Sequence, residues 1–169
     1  LREEVKALGK KEIPPHGTLP ISVPGCVDGW VQLHERFGSL TLDQVLAPAI
    51  RHAREGFPVT ELIAHYWQIS ARVLGEQPGF RETFTTDGKA PGVGELWKNP
   101  NLASTLSEIA ANGRSGFYEH RVAEQIASFI QKHGGYITVE DLASHRGEWI
   151  DPVSTSYRGV EVWQLPPNG

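Results

Sequence analysis

Apolar residues return every three or four positions over most of the chain, and only near the C-terminus does the spacing shorten to two. The first pattern belongs to helices with one buried face, the second to strands. Trp30, Leu33, His34 and Phe37 define a short helix that Asp28 can cap and Gly38 can stop. Thr41 is placed to cap the next, which carries Leu42, Leu46, Ala49, Ile50 and Ala53 on one face and ends at Gly56. Pro48 falls inside that pattern and predicts either a kink or two pieces, with Pro48 in the first turn of the second. Thr60 opens a third helix with Leu62, Tyr66, Ile69 and Val73 in one stripe. Asn99 or Asn101 opens a fourth, with Leu102, Leu106 and Ile109 inward and Gly113 at its end. The most regular pattern runs from Phe117 to His133, turns Val122, Ile126, Phe129 and Ile130 inward, and closes at Gly134-Gly135. Thr138 and Asp141 have the spacing of a capping box and start a short helix reaching about His145.

Three segments break the helical rhythm. Residues 10–25 hold Pro14, Pro15, Pro20 and Pro24, each lacking a backbone N–H, and predict an extended lead-in. Residues 75–100 are rich in glycine and proline, contain the doublet Thr85-Thr86 before Asp87-Gly88, and predict a long surface excursion. The tail reads as two strands, Trp149–Thr155 and Val160–Leu165, joined as a hairpin through Ser156-Tyr157-Arg158-Gly159. In the second strand Val160 and Val162 share one face while Trp163 and Leu165 share the other. A strand apolar on both faces belongs inside a sheet covered on both sides, and a lone two-stranded hairpin is marginal in water. The fold class is therefore mainly α with a C-terminal β-hairpin: a helical region over about 23–145, then the first strands of a sheet over about 147–165.

Composition narrows the classes. With 169 residues, 39% hydrophobic and 21% charged, the chain is sized for one domain and too mixed for disorder. A net charge of −4 offers no basic footprint for nucleic acid. No run approaches the roughly 18 apolar residues of a membrane-spanning helix, and no signal-peptide pattern opens the chain. Cys26 stands alone, which excludes an internal disulfide framework and a cysteine-rich zinc site. There is no methionine, and the last residues stop in turn-forming sequence directly after a strand, so the expectation is a piece of a longer polypeptide.

Few residues invite chemistry. The histidines at 16, 34, 52, 65, 120, 133 and 145 are scattered one per element with no ligand spacing, and no metal site or cofactor is expected. Cys26 precedes a helix start, where a thiol pKa falls, so a nucleophile pair with His34 or His16 is one reading. A small residue packed at the Pro24-Gly25 turn is the other. Thr85-Thr86 reads as a loop doublet, because a threonine nucleophile needs a base and both are internal. The acid pairs Glu3-Glu4 and Glu140-Asp141 suit solvated helix ends.

Several separated motifs, in one order, carry a resemblance. They include Val23-Pro24-Gly25 with Gly29-Trp30, Leu33-His34 with Arg36-Phe37-Gly38, Leu46-Ala47-Pro48-Ala49-Ile50, and Gly56-Phe57-Pro58-Val59. After the excursion come Asn99-Pro100-Asn101-Leu102-Ala103, Phe117-Tyr118, Gly134-Gly135 with Glu140-Asp141-Leu142, Tyr157-Arg158-Gly159 and Pro166-Pro167. From Val23 to Pro167 the chain resembles the large-subunit portion of the gamma-glutamyltranspeptidase family. The resemblance implies part of an αββα N-terminal nucleophile hydrolase fold, with residues 1–169 as a partial large subunit of a self-cleaving proenzyme. It implies an enzyme that cleaves and transfers γ-glutamyl groups of glutathione and related amides through the N-terminal threonine of a small subunit.

By the same resemblance that threonine lies C-terminal to the Pro-Pro motif, and the arginine that binds the glutamyl carboxylate lies upstream of Leu1. No catalytic, substrate-binding or metal-binding residue is therefore expected within 1–169, and the chain alone is expected to be inactive. The implied partners are the small subunit of the same proenzyme and a small-molecule amide. Pro166-Pro167-Asn168-Gly169 departs from the Pro-Pro-Pro-Ser-Ser-Gly-Gly of many transpeptidases and resembles the branch that includes acylases and other amide hydrolases. Two further alternatives stand: a hydrolase built on Cys26, and a non-catalytic helical binding module. Localisation is open, with periplasm or cell surface implied by the resemblance and cytoplasm also compatible.

Overall fold

The computed structural model describes residues 2–7, 9 and 11–166, without the side chains of residues 2–4. Pro167, Asn168 and Gly169 of the last motif, and the side chains of Glu3 and Glu4, lie outside the described residues. After a short helix α1 (Arg2–Ala7) and the proline-rich lead-in come α2 (Cys26–Phe37), α3 (Leu42–Glu55), β1 (Phe57–Pro58) and α4 (Glu61–Leu74). The excursion holds α5 (Phe80–Phe84) and β2 (Leu96–Trp97). The chain continues through α6 (Pro100–Asn112), α7 (Ser115–Tyr118), α8 (His120–Lys132), α9 (Val139–Ser144) and the strands β3 (Val153–Tyr157) and β4 (Val160–Gln164).

Local chemistry explains several boundaries. The Gln44 side-chain oxygen accepts from both the N–H (3.1 Å) and the hydroxyl (2.9 Å) of Thr41 and so holds the start of α3. Asn99 caps α6 by accepting from the Leu102 N–H at 2.9 Å, with Pro100 in the first turn, where a missing N–H costs nothing. Thr138 and Asp141 form the expected reciprocal box at α9: Asp141 N–H donates to the Thr138 hydroxyl, and the Asp141 carboxylate accepts from the Thr138 N–H. That exposed carboxylate is held below the usual range by the hydrogen bonds from Thr138. Gly56, at φ 98, ends α3 in a conformation that only glycine adopts cheaply.

Four expectations are corrected. Asp28 is not the cap of α2: Gly25 already has near-helical angles, the helix starts at Cys26, and Asp28 is buried in its first turn. Of the two outcomes expected at Pro48 the division is corrected: α3 runs as one helix from Leu42 to Glu55, and one lost backbone hydrogen bond is tolerated where the helix packs along α6. The helix expected over 117–133 is divided, because Glu119 is extended and His120 takes φ 56. The break lets Tyr118 point into the core from α7 while α8 turns Ala123, Ala127 and Ile130 toward the same core. The hairpin turn is Arg158-Gly159 alone, both at positive φ, and Ser156 and Tyr157 belong to β3.

The core gathers Val27, Leu106, Ile109, Tyr118, Ala123, Ala127, Ile130, Ile137 and Leu142. Several apolar stripes read from the sequence nevertheless face outward. Trp30, Leu33 and Phe37 of α2, with Val45 and Leu102, line an open groove of about 720 Å3 between α2, α3 and α6. The α4 stripe of Leu62, Tyr66, Ile69 and Val73 is exposed along its length, and Phe129 is exposed too. Every residue of β3 and β4 is exposed, and among the described residues no further strand pairs with them.

One junction in this framework is tight enough to predict. A Cβ on Gly116 would stand 2.2 Å from the Glu108 carbonyl oxygen and 2.6 Å from its carbon, so α7 could not keep its seat on α6. Gly116→Ala is expected to destabilise by at least ~1–3 kcal/mol. Gly29→Ala, where a Cβ meets nothing within 4 Å, is expected to stabilise by roughly 0.5–1 kcal/mol. Urea unfolding of the two variants checks the opposite signs.

Candidate functional site

The densest polar arrangement lies where α2, the α6–α7 junction and the segment after α9 meet. Asp28 is 2% exposed, and each carboxylate oxygen is engaged. Oδ1 accepts from Arg114 Nε at 3.0 Å, while Oδ2 accepts from the Gly147 N–H at 2.6 Å and from Gln32 Nε2 at 2.7 Å. The Arg114 guanidinium also donates to the carbonyls of Ala143 (2.9 Å) and His145 (2.6 Å) and to Glu119 at 3.2 Å. Its carbon lies 4.8 Å from the centre of the Tyr118 ring. The Tyr118 hydroxyl donates to the Pro24 carbonyl at 2.6 Å and accepts from the Asp28 N–H at 3.1 Å.

Burial alone would raise the Asp28 pKa, but the Gly147 N–H, the Gln32 amide and the Arg114 guanidinium together hold it below the ordinary carboxylate range. For Tyr118 burial dominates, and its pKa moves up in spite of the hydrogen bond from the Asp28 N–H. A carboxylate with both oxygens occupied by fixed donors is poorly placed to take a proton from a substrate. The cluster's chemistry is that of a clamp.

The other residues singled out in the sequence do not converge on this clamp as a reactive set. His34 Nε2 is engaged 2.7 Å from the Leu40 carbonyl oxygen. Cys26 and His34 are eight residues apart in one helix, about 12 Å along its axis. Cys26 is exposed, as is His16 in the lead-in. The Thr85 hydroxyl donates to the Arg81 carbonyl at 2.6 Å, and Thr86 pairs with Lys89 across a turn made by Asp87 and Gly88 at positive φ. Among the described residues no group of three His, Cys, Asp or Glu side chains could hold a metal ion. No described helix is long and apolar enough to cross a membrane.

The gamma-glutamyltranspeptidase family model matches residues 2–169. The chain belongs to that family. It is 43% identical over 161 residues to the glutathione hydrolase-like YwrD proenzyme of Bacillus subtilis, an alignment covering 95% of this chain and 31% of that protein. The cephalosporin acylase of Bacillus halodurans superposes with a TM-score of 0.93 at 46% identity, over 99% of this chain and 33% of the acylase chain. The gamma-glutamyltranspeptidase of Helicobacter pylori gives a TM-score of 0.88 at 31% identity, over 95% of this chain and 47% of its own. The fold is therefore part of the αββα N-terminal nucleophile hydrolase fold, seen here as mainly α with a C-terminal β-hairpin. The chain spans about a third of the length of the first of these relatives.

Within this family member, sequence reasoning missed the partnership of Asp28 and Arg114, which are 86 positions apart. A short polar residue near a helix start reads as a cap, and an arginine just after Gly113 reads as surface. Only their contact distinguishes them from such residues.

Proposed function

We propose that residues 1–169 are part of the large subunit of a transpeptidase-like amide hydrolase that matures by self-cleavage. The parent enzyme takes γ-glutamyl groups from glutathione or related amides. The nucleophile is the N-terminal threonine of a small subunit, supplied by polypeptide outside these residues. Its hydroxyl attacks the amide carbonyl, its own α-amine accepts the proton and passes it to the leaving amine, and water or a second amine then takes the acyl group. The observation that carries this reading is the β3–β4 ribbon. One of its faces gathers Val153, Thr155, Tyr157, Val160 and Val162, the other sets Trp163 among Ser154, Ser156 and Glu161, and every residue is exposed, as a pair of strands in a layered sheet is before its neighbours are added. The small subunit is the partner that would complete that sheet.

A second reading keeps the nucleophile and changes the substrate. Asn168-Gly169 after the Pro-Pro pair, and the TM-score of 0.93 to a cephalosporin acylase, favour hydrolysis of a non-γ-glutamyl amide. The test is to purify the full-length precursor, follow its conversion to two chains, identify the new N-terminal residue by mass spectrometry, and assay a γ-glutamyl anilide beside cephalosporin-type and short amides. Two chains with an N-terminal threonine are expected, and the substrate panel decides between the readings. Residues 1–169 alone are expected to turn over none of these substrates. Turnover by that chain, or loss of the parent's activity on Cys26→Ala, would overturn the proposal.

A further inference from the structure

The segment joining α9 to the ribbon is held along the whole of α2. At the N-terminal end of that helix, the His145 ring lies 3.0 Å from where a Cβ of Gly25 would stand. In the middle, the Gly147 N–H donates to Asp28 at 2.6 Å and the Gly147 carbonyl accepts from Gln32 Nε2 at 3.0 Å. At the C-terminal end, the Trp149 ring meets Phe37 edge to face at 6.0 Å, and Arg36 stacks over it at 4.4 Å. Arg114 adds two bonds at the start of the segment, to the carbonyls of Ala143 and His145. Residues 145–149 thus run as a strap in the direction of α2, and every second residue along it is anchored.

Such anchoring is disproportionate for a connection. Here a buried charge pair and its neighbour Gln32 hold the backbone of Ala143, His145 and Gly147 in turn, and the exposed Arg146 guanidinium shares the Ala143 and His145 carbonyls with Arg114 at 2.7 Å each. Three residues, Ile150, Asp151 and Pro152, join the strap to the ribbon, whose own residues are all exposed. Strand register moves in steps of about 3.3 Å, and one step turns every side chain to the other face, so the point at which the strap leaves α2, with only Ile150, Asp151 and Pro152 before Val153, bears on which faces of β3 and β4 point where.

We propose that Asp28 and Arg114, with Gln32, are positioning residues. They fix the exit of residues 143–149 and so place the β3–β4 ribbon in the register that the adjoining sheet of the parent enzyme requires for self-cleavage. This rests on the proposed function for its consequence in maturation, but not for the strap itself.

The experiment uses the full-length precursor in wild-type form and as Arg114→Met, Arg114→Lys, Gln32→Ala and Leu106→Ala. Leu106→Ala removes core packing without touching the strap, and Gln32→Ala is a mild change that leaves the buried ion pair intact. Two measurements are made well below the unfolding temperature: amide hydrogen exchange resolved by segment, and the rate of chain cleavage. Arg114→Met is expected to speed exchange at residues 147–164 at least tenfold more than at α3 and α6, and to slow cleavage at least tenfold. Gln32→Ala should give the same pattern more weakly. Arg114→Lys should not rescue, because one ammonium cannot serve Asp28 and two carbonyls in a fixed fork. Leu106→Ala should loosen α3 and α6 while leaving the ribbon protected and cleavage at the wild-type rate. Uniform loosening by Arg114→Met, or a cleavage rate no slower than that of Leu106→Ala, would overturn the assignment. A wild-type precursor that never cleaves would defeat the proposed function instead, and the exchange pattern would still judge the strap.

Discussion

Replacing Arg114 with alanine is expected to destabilise the protein by about 3–5 kcal/mol at neutral pH, because it strands the Asp28 carboxylate in a site only 2% exposed. The loss should exceed that of any exposed pair, such as Arg121 with Glu108, where ~0–1 kcal/mol is expected. It should also depend on pH with a definite sign. In the wild-type protein the folded Asp28 pKa lies below its unfolded value. Its contribution is therefore fully present above about pH 4 and is lost as the pH falls from there through the lowered folded pKa. Without the guanidinium two of the causes that lower the folded pKa are gone while burial, the Gly147 N–H and the Gln32 amide remain, so the folded pKa moves up from its wild-type position and the variant loses less on acidification. The difference in stability between the two proteins should shrink on going from pH 7 to pH 3. Urea midpoints across that range measure it, and a difference that stayed constant or grew in acid would contradict the buried-charge account.

Tyr118→Ala is expected to cost a comparable ~3–5 kcal/mol, for a different reason: it empties the site of a ring that is 0% exposed in the centre of the core. Tyr118→Phe separates the two contributions of that side chain. It keeps the ring against Arg114 and the core but leaves the Pro24 carbonyl and the Asp28 N–H without their shared hydroxyl, at about 1–3 kcal/mol. Since Tyr118 hydrogen-bonds Asp28 and stacks with Arg114, the Tyr118→Phe and Arg114→Ala effects should not add. A double-mutant cycle by urea unfolding checks this, and strict additivity would mean that the three residues do not act as one unit.

The periodic stretches were legible because each helix announces itself through near neighbours. Thr41 with Gln44, Asn99 with Leu102 and Thr138 with Asp141 are contacts within one turn, and their spacing is written in the chain. The hairpin was legible for the same reason, although its turn is Arg158-Gly159 and not the whole of Ser156-Tyr157-Arg158-Gly159. What misled was the direction of the stripes. Leu62, Tyr66, Ile69 and Val73 recur at a helical period, yet they face outward, as do Trp30, Leu33 and Phe37. Periodicity shows that a face is apolar and says nothing of which body covers it. The division at Glu119 was likewise hidden, since residues 117–133 keep a helical rhythm through a break that serves the burial of Tyr118.

By itself, then, the sequence determined where α3, α6 and α9 start and stop, that the chain closes in a β-ribbon, and to which family its ordered motifs point. All of this rests on interactions over a few residues or on motif order, both carried by linear sequence. Only the tertiary structure decided that Asp28 is a buried partner rather than a cap, that Arg114 joins it across 86 positions, and that residues 145–149 are strapped along α2. A charge pair brought together by long-range folding leaves no spacing to read, because its energy depends on burial and geometry that exist only once the helices have packed.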